Sequence, residues 1–273
     1  MQPDRFVMEN KLWVITSPIG LPVYDFDFRQ FFLCRTPYQI AGELPGLARV
    51  GAFDDYRVFY DDTLRDGIQL LNTPEEQELC SSLPRWYPCI EGLTPRSRWY
   101  EGIPTFEELI DHFSLPFFIK GARQTSRHQA AASVIRSRED YDCATAIFRT
   151  DSVLKWQQFV CREFVPLRRV EGDTGNKVPP SYEFRTFWHR HHLLGAGRYW
   201  YGVPEYGWTE RDEALALASK VAVALNCGLL VIDLALTADD RWIVIECNDA
   251  MESGYAGVSP IGLWSRLVEL TDA

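Results

Sequence analysis

The chain has no CxxC pair, no Walker A loop, no GxSxG elbow and no HExxH helix. Those absences remove the most legible routes to zinc-ribbon, P-loop, serine-hydrolase and metalloprotease chemistry. Gly195-Ala-Gly197 does not extend into a dinucleotide fingerprint. Basic residues are the minority, 28 Lys and Arg against 38 Asp and Glu, and the net charge is −10. A global basic field for nucleic acid or an anionic membrane is therefore not expected, although a local basic pocket for a phosphate stays open. No apolar run is long enough to span a bilayer, and the first residues lack the basic-then-apolar layout of a signal peptide. The seven cysteines are odd in number and scattered, which suits a reducing cytoplasm better than a disulfide framework. Internal repeats and low-complexity tracts are absent too.

What remains is an ordinary folding composition of 273 residues, 46% hydrophobic and 14% aromatic. That length allows a sizeable core in one or two domains. In residues 1–100 Pro and Gly recur between short elements, so loops are many. Residues 11–16 and 56–60 read as strands, and Thr73-Pro74 opens a helix through Cys80. Phe26, Phe28, Phe31, Phe32 and Tyr38 either fill a loop-rich core or mark a partner surface.

Beyond residue 100 the signals sharpen. Thr105-Phe-Glu-Glu108 is a capping box, followed by Phe106, Leu109, Ile110 and Phe113 at helical spacing. Residues 116–120 read as a buried strand delivering Lys120 at its end, with a polar loop at 121–128. Ser137 starts a second helix through about Phe148, and residues 157–165 alternate like a strand. The polar loop 171–180 suits a mobile flap. Residues 182–188 and 193–200 form a hairpin about a His-rich turn. Thr209 is expected to cap a long Ala-rich helix with Leu217, Val221 and Leu225 on one stripe, closed at Asn226-Cys-Gly228. A terminal helix covers 260–270.

Residues 229–236 and 242–249 are two apolar, β-branched runs about a short polar segment with Asp239-Asp240, the pattern of a β-hairpin. A turn centred between those aspartates puts Asp233 directly opposite Glu246. Side chains two apart share a face, so Asp233, Glu246 and Asn248 point one way. Ile232, Leu234, Ile243, Ile245 and Cys247 then point into a core. Two opposed carboxylates destabilise a ladder unless something compensates. An Asp, a Glu and an Asn carbonyl suit a hard divalent cation such as Mg²⁺; the alternative is a solvated acidic face.

Other candidates carry the opposite charge. Lys120 is held against the core, where its ammonium either meets a phosphate or snorkels to water. In Tyr182-Glu-Phe-Arg-Thr-Phe, Glu183 and Arg185 share a face, so Arg185 binds a phosphate bidentately or pairs with Glu183. Arg198 on the partner strand adds to the same strip. His189, His191 and His192 lack a nearby Cys to complete a zinc site and read as a solvated turn. Ser253-Gly254 is a turn whose backbone N–H groups are placed to face a ligand.

The order Phe-Phe-Ile-Lys120, Arg162-Glu-Phe-Val165, Glu-Phe-Arg185, Val-Ile-Asp233 and Ile-Glu-Cys-Asn248 resembles the ATP-grasp superfamily. The Glu-Phe-Arg-x-Phe element and the Ser-Gly ending look most like the divergent clade that includes a eukaryotic translation-initiation-factor assembly protein and small bacterial and phage members. The resemblance covers about residues 101–260. It implies an α+β fold in which two subdomains, 101–165 with Lys120 and 166–273 with the metal site, sandwich ATP. A smaller α/β pre-grasp-like domain would occupy 1–100, although the usual βαβ regularity and a Gly-rich loop are not evident there.

By the same resemblance, Lys120 would meet the α/β-phosphates and Arg162 to Val165, with Glu163 and Phe164 between them, would line the adenine hinge. Arg185 would contact the γ-phosphate or an acyl-phosphate, with Arg198 and Asp233 also at the nucleotide. Asp233, Glu246 and Asn248 would hold Mg²⁺. The implied activity is an ATP- and Mg²⁺-dependent ligase joining a carboxylate to an amine or thiol, with a peptide or protein among the candidate substrates. Such a site works by positioning and charge neutralisation and needs no side-chain nucleophile. The alternative is an ATP-binding assembly factor or chaperone for a protein partner, without ligase turnover.

Overall fold

The computed structural model describes residues 3–21, 23–37, 44–51, 55–125 and 129–271. Three sheets carry the chain. The first runs β3 (Cys34–Arg35), β1 (Asp4–Met8), β2 (Leu12–Thr16), β4 (Pro45–Arg49) and β5 (Gln69–Leu70). The second runs β6 (Ser97–Tyr100), β9 (Phe159–Glu163), β7 (Phe117–Gly121) and β8 (Val134–Ile135). The third runs β11 (His192–Arg198), β10 (Glu183–His189), β12 (Leu230–Leu236) and β13 (Trp242–Asn248) and is antiparallel throughout.

The first sheet corrects one sequence expectation. Residues 56–60 are not a strand but the start of helix α1 (Tyr56–Arg65). The Asp55 carboxylate accepts from the Val58 N–H at its N-terminus, and Tyr56 and Tyr60 fall at the i, i+4 spacing of one helical face. Helix α1 joins the parallel strands β4 and β5, so the βαβ step that the sequence did not show is present. Helix α2 (Pro74–Ser81) begins as expected, with a complete Thr73–Glu76 capping box; α3 (Leu83–Trp86) follows it. The edge strand of the second sheet, β6, comes from Ser97–Tyr100, earlier in the chain than the expected boundary at residue 100.

Helices α4 (Phe106–Ile110) and α5 (Arg138–Thr150) cover one face of the second sheet. Phe106, Leu109, Phe113, Tyr141, Ala144 and Phe148 pack there against Phe117, Ile119, Phe159 and Cys161. Alternation along β7 leaves Phe118 and Lys120 for the opposite face. Helix α6 (Arg211–Leu225) lays Ala214, Ala218, Val221, Ala222 and Leu225 on Ile232, Leu234, Val244 and Cys247 of the third sheet. Its small side chains allow close approach of helix and sheet.

Both ends of α6 differ from expectation. Its N-cap is Glu210, without a side-chain cap bond, because Thr209 is taken by Tyr182, whose hydroxyl accepts from the Thr209 N–H at 2.9 Å. Its C-cap is Asn226, in the left-handed region at φ 44° and tolerated there as Asn commonly is. Gly228 serves another purpose, since a Cβ there would run into the Leu71 carbonyl.

Helix α7 (Pro260–Leu270) packs Leu263, Trp264 and Leu267 against Phe187, Val231 and Leu194 of the third sheet and against Phe6, Met8, Leu12 and Leu47 of the first. Of the early aromatics, Phe28 is fully buried in this cluster, with Phe26 at 4.9 Å edge-on, while Phe31 is half exposed. Tyr38 lies outside the described residues, as do positions 126–128 of the loop after β7. No helix among the described residues is long and apolar enough to cross a membrane.

Candidate active site

The second and third sheets face one another across a cleft of about 270 Å³, near the lower end of small-molecule pockets. The chain passes from one sheet to the other along residues 163–167, which line the cleft as a hinge. The backbone N–H and C=O groups of Phe164 and Val165 make no hydrogen bond among the described residues, so the hinge presents unused donors and acceptors to the cleft. Phe118, Val134, Val178, Ile243 and Ile245 add apolar wall.

Strands β12 and β13 pair as the turn predicted, with Asp233 directly opposite Glu246. Beyond that pair the register slips by one, so that Leu234 meets Val244 and Ile245 is the extra residue of a β-bulge. The bulge corrects the face assignment. Ile243, Ile245 and Glu246 all line the cleft, while Val244 and Cys247 enter the core instead of Ile243 and Ile245. Arg162 secures this kink. Its guanidinium donates to the Ile245 carbonyl at 2.7 Å, to Thr94 Oγ1 at 2.6 Å and to Ser97 Oγ at 3.0 Å. Burial pulls its pKa down to about 10.

The opposed acids are compensated by the chain's own cations. Lys120 Nζ is ion-paired with Glu246 Oε1, and Lys120 is 4% exposed. Burial pulls the ammonium's pKa below its ordinary value, with Glu246 acting in the other direction. Asp233, 2% exposed, takes a bidentate bond from Arg185, Nε to Oδ1 at 2.8 Å and Nη2 to Oδ2 at 2.7 Å. Burial works against the Arg185 charge, but Asp233 holds the guanidinium above its ordinary pKa. Arg185 pairs with Asp233, its register partner, rather than with Glu183. It also lies 4.9 Å over the Tyr199 ring and donates to the Gly254 carbonyl at 2.8 Å.

The Ser253-Gly254 turn therefore turns carbonyls, not N–H groups, toward its partners, because Arg49 from β4 also binds the carbonyls of Ala250 and Ser253.

Two expected residues stand apart from the cleft lining. Arg198 is the register partner of Phe184, so it shares Phe184's face rather than that of Arg185, with its guanidinium 5.6 Å from the Tyr206 ring. The single positive strip expected of Arg185 and Arg198 is not formed. Asn248 follows Glu246 on the same side of β13 by alternation, half-buried and paired with Val231. Among the described residues no three His, Cys, Asp or Glu converge as a metal cage. The His turn holds His189 Nδ1 2.6 Å from the Gly228 carbonyl.

Sequence reasoning missed four contributors. Arg136, Arg169, Tyr199 and Trp200 line the cleft, and none carries a motif or a periodic signal. Glu183 was placed on the correct face but considered only as a partner for Arg185. It is 6% exposed, and its carboxyl is pushed up to about 8 by burial and by nearby Asp233. A second acid, Glu252, is likewise raised to about 8 by burial and Asp249, and accepts from Gln124 Nε2 at 2.6 Å.

Two α+β units closing on a hinged cleft, with a Lys on one sheet and acids on the other, define the ATP-grasp fold. The chain belongs to the ATP-grasp domains of the R-2-K clade, family 3, whose family model matches residues 95–267. No curated protein matches the sequence. Among solved structures, a RimK domain ATP-grasp protein from Sphaerobacter thermophilus is 16% identical, with TM-score 0.55, covering 86% of this chain and 82% of its own. A D-alanine-D-alanine ligase from Coxiella burnetii is 12% identical, with TM-score 0.57, covering 83% and 67%. The purK N5-carboxyaminoimidazole ribonucleotide synthetase, seen as its ADP complex, is 16% identical with TM-score 0.53. The match covers 78% of this chain and only 54% of the synthetase.

Proposed function

We propose that the chain is an ATP- and Mg²⁺-dependent ligase that joins a carboxylate to an amine through an acyl-phosphate. The observation that carries this reading is the pair of buried ion pairs, Lys120–Glu246 and Arg185–Asp233, in an apolar hinged cleft. Opposite charges held in a water-poor site are what phosphoryl transfer asks of a protein.

The residues fit ATP. Unused backbone groups at Phe164 and Val165 match an adenine edge, Ile243 and Ile245 match one of its faces, with Phe118 and Val134 of the facing sheet for the other, and Lys120 matches phosphate as a point charge. They also fit Mg²⁺ by donor chemistry, since Glu246, Asp233 and Asn248 offer hard oxygen ligands. Bound there, the ion would neutralise phosphate charge. Each member of the Lys120–Glu246 pair stands in for what the other would hold, Glu246 for a phosphate and Lys120 for the metal cation. Lys120 turning to a phosphate releases Glu246 for the cation, so the resting pair keeps both charges compensated until the nucleotide arrives. Arg185 stays with Asp233, fixing that carboxylate's orientation. With β6 counted to the second sheet, the chain divides near residues 95 and 165 into a pre-grasp-like part, a Lys120 lobe and a metal lobe.

ADP release tests this reading. The full chain with Mg²⁺ATP and a panel of carboxylates and amines should release ADP with at least one pair. Lys120→Ala should lower that rate by about 10² to 10³-fold, the range typical of losing one electrostatic contact in an active site. If ATP binds and no ADP appears across the panel, the assembly-factor reading replaces the ligase. Half-exposed Phe31 and Leu33 would then be the first surface to probe for a protein partner.

A further inference from the structure

The strands give the cleft a direction. Leu167 and Arg169, just past the hinge, bridge Thr237 and Ser181, and Phe117 pairs with Glu163. The start of β7, the start of β13 and Glu183 therefore lie at the hinge end. Lys120 and Glu246 stand further along β7 and β13, about 10 to 13 Å from that end at the rise of a strand. A nucleotide whose base meets the hinge carries its terminal phosphate toward this pair. The group that accepts the activated carboxylate then approaches from beyond it, where β13 runs out into the segment 249–254.

Glu252 stands in that segment and has no part in the scheme above. Gln124, in the turn after Lys120, donates from Nε2 to Glu252 Oε2 at 2.6 Å. The turn itself is pinned: the N–H groups of Arg123 and Gln124 both donate to Oε1 of buried Gln157, at 2.8 and 2.9 Å. A Cβ at Gly121 would strike the Gln157 side chain, so the glycine leaves room for this support. From the other lobe, Asp249 Oδ1 accepts the Met251 and Glu252 N–H groups at 2.8 and 3.3 Å. Glu252 is thus oriented by both lobes, yet its Oε1 accepts no hydrogen bond and it joins no ion pair among the described residues. The charges acting on it are Asp249 and Glu246, with Arg123 opposed to them. Lys120 is committed to Glu246, and Asp249 has only neutral donors, Gln77 among them. The surroundings carry a surplus of negative charge. A fixed carboxylate with one oxygen open in such surroundings matches an ammonium, which brings positive charge and three donors.

We propose that Glu252, oriented across the cleft by Gln124, is the docking group for the acceptor amine, which it binds as an ammonium at the phosphate end. The proposal rests on the ligase reading and deepens it, naming a primary amine as the acceptor and fixing its side of approach. It also ties docking to closure. Gln124 belongs to the Lys120 lobe and Glu252 to the metal lobe, so the carboxylate has its full orientation only when the lobes meet. A carboxylate substrate is turned away from this point by Glu252, Asp249 and Glu246 together.

The test is a binding experiment on the full chain that needs no turnover. n-Butylamine and n-butanol, similar in shape and differing in charge, are titrated by ligand-observed NMR, with ATP affinity measured in parallel. The titrations are run at pH 8.5, above the value of about 8 to which burial and Asp249 raise the Glu252 carboxyl. The amine should bind wild type at least tenfold more tightly than the alcohol. Glu252→Gln, which keeps an oxygen for Gln124, should abolish that preference while leaving ATP affinity within about twofold. Gln124→Met, which removes only the orienting donor, should reduce the preference severalfold and serves if the first variant does not fold. Equal binding of amine and alcohol to wild type overturns the proposal, as does an amine preference that survives in both variants. Loss of ATP affinity in Glu252→Gln with the preference intact also overturns it, assigning Glu252 to the nucleotide. Failure of the ligase reading is distinguishable: ADP release would be absent while the amine preference stood.

Discussion

At the scale of single residues, the site is a set of charges each held by its opposite. Lys120 is the group with the most to lose. Its substitution by Ala removes the cation beside Glu246, so the variant should bind ATP at least tenfold more weakly, as calorimetry would show. Glu183 gives a prediction of opposite character. Its carboxyl keeps a proton up to about 8 in the folded chain, whereas unfolding returns it to the ordinary value near 4.5. The folded state therefore binds the extra proton between those values, and stability falls as pH rises through that window. Glu183→Gln should have a higher melting temperature than wild type above pH 8, with the difference vanishing near pH 4.5. Glu252 keeps a similar slope in both proteins, so the comparison isolates Glu183. A difference independent of pH would contradict it. These groups were unequally legible: Lys120 and Arg185 stand at strand positions that sequence periodicity reveals, whereas Arg136 and Arg169 reach the cleft from a two-residue strand's end and a loop, which carry no period.

At the scale of elements, the bulge in β13 does what a regular strand cannot, turning Ile245 and Glu246 to the cleft together. Arg162 binds three acceptors around it, and a buried acceptor left without its partner costs about 1–3 kcal/mol. Arg162→Met should lower stability by about 3 kcal/mol or more in denaturant titrations, and weaken ATP binding through the displaced Ile245. A close approach gives a second case. A Cβ at Gly197 would strike the Gly257 backbone, so Gly197→Ala must push β11 from the loop before α7. A melting temperature unchanged from wild type would show that the contact yields without cost. The sequence showed the hairpin, the Asp233–Glu246 pairing and most helix starts, because turn residues and caps act locally. It hid the bulge, which is one extra residue in an unbroken β-branched run. It also misassigned residues 56–60, where Tyr, Val and Phe favour a strand and the Asp55 cap decides for a helix. Arg198 was misplaced by the same kind of error, since one residue of register reverses a side chain's face.

At the scale of the whole molecule, the first sheet is joined to the site rather than merely beside it. Arg49 of β4 holds the carbonyls of Ala250 and Ser253, and Gln77 of α2 donates to Asp249 Oδ2 at 2.8 Å. Both grip the segment that follows the acids of β13. Gln77→Ala should therefore weaken Mg²⁺ATP binding severalfold from outside the cleft, and unaltered affinity would show that this grip is structural only. The reading as a whole rests on a nucleotide site made by Lys120, Asp233 and Glu246. Calorimetry of ATP with and without Mg²⁺ on wild type, Lys120→Ala and Glu246→Gln measures it most directly. We expect saturable, Mg²⁺-dependent binding to wild type, at least tenfold weaker in each variant, with Glu246→Gln losing most of the Mg²⁺ dependence. No binding to wild type, or equal binding to all three proteins, would contradict it.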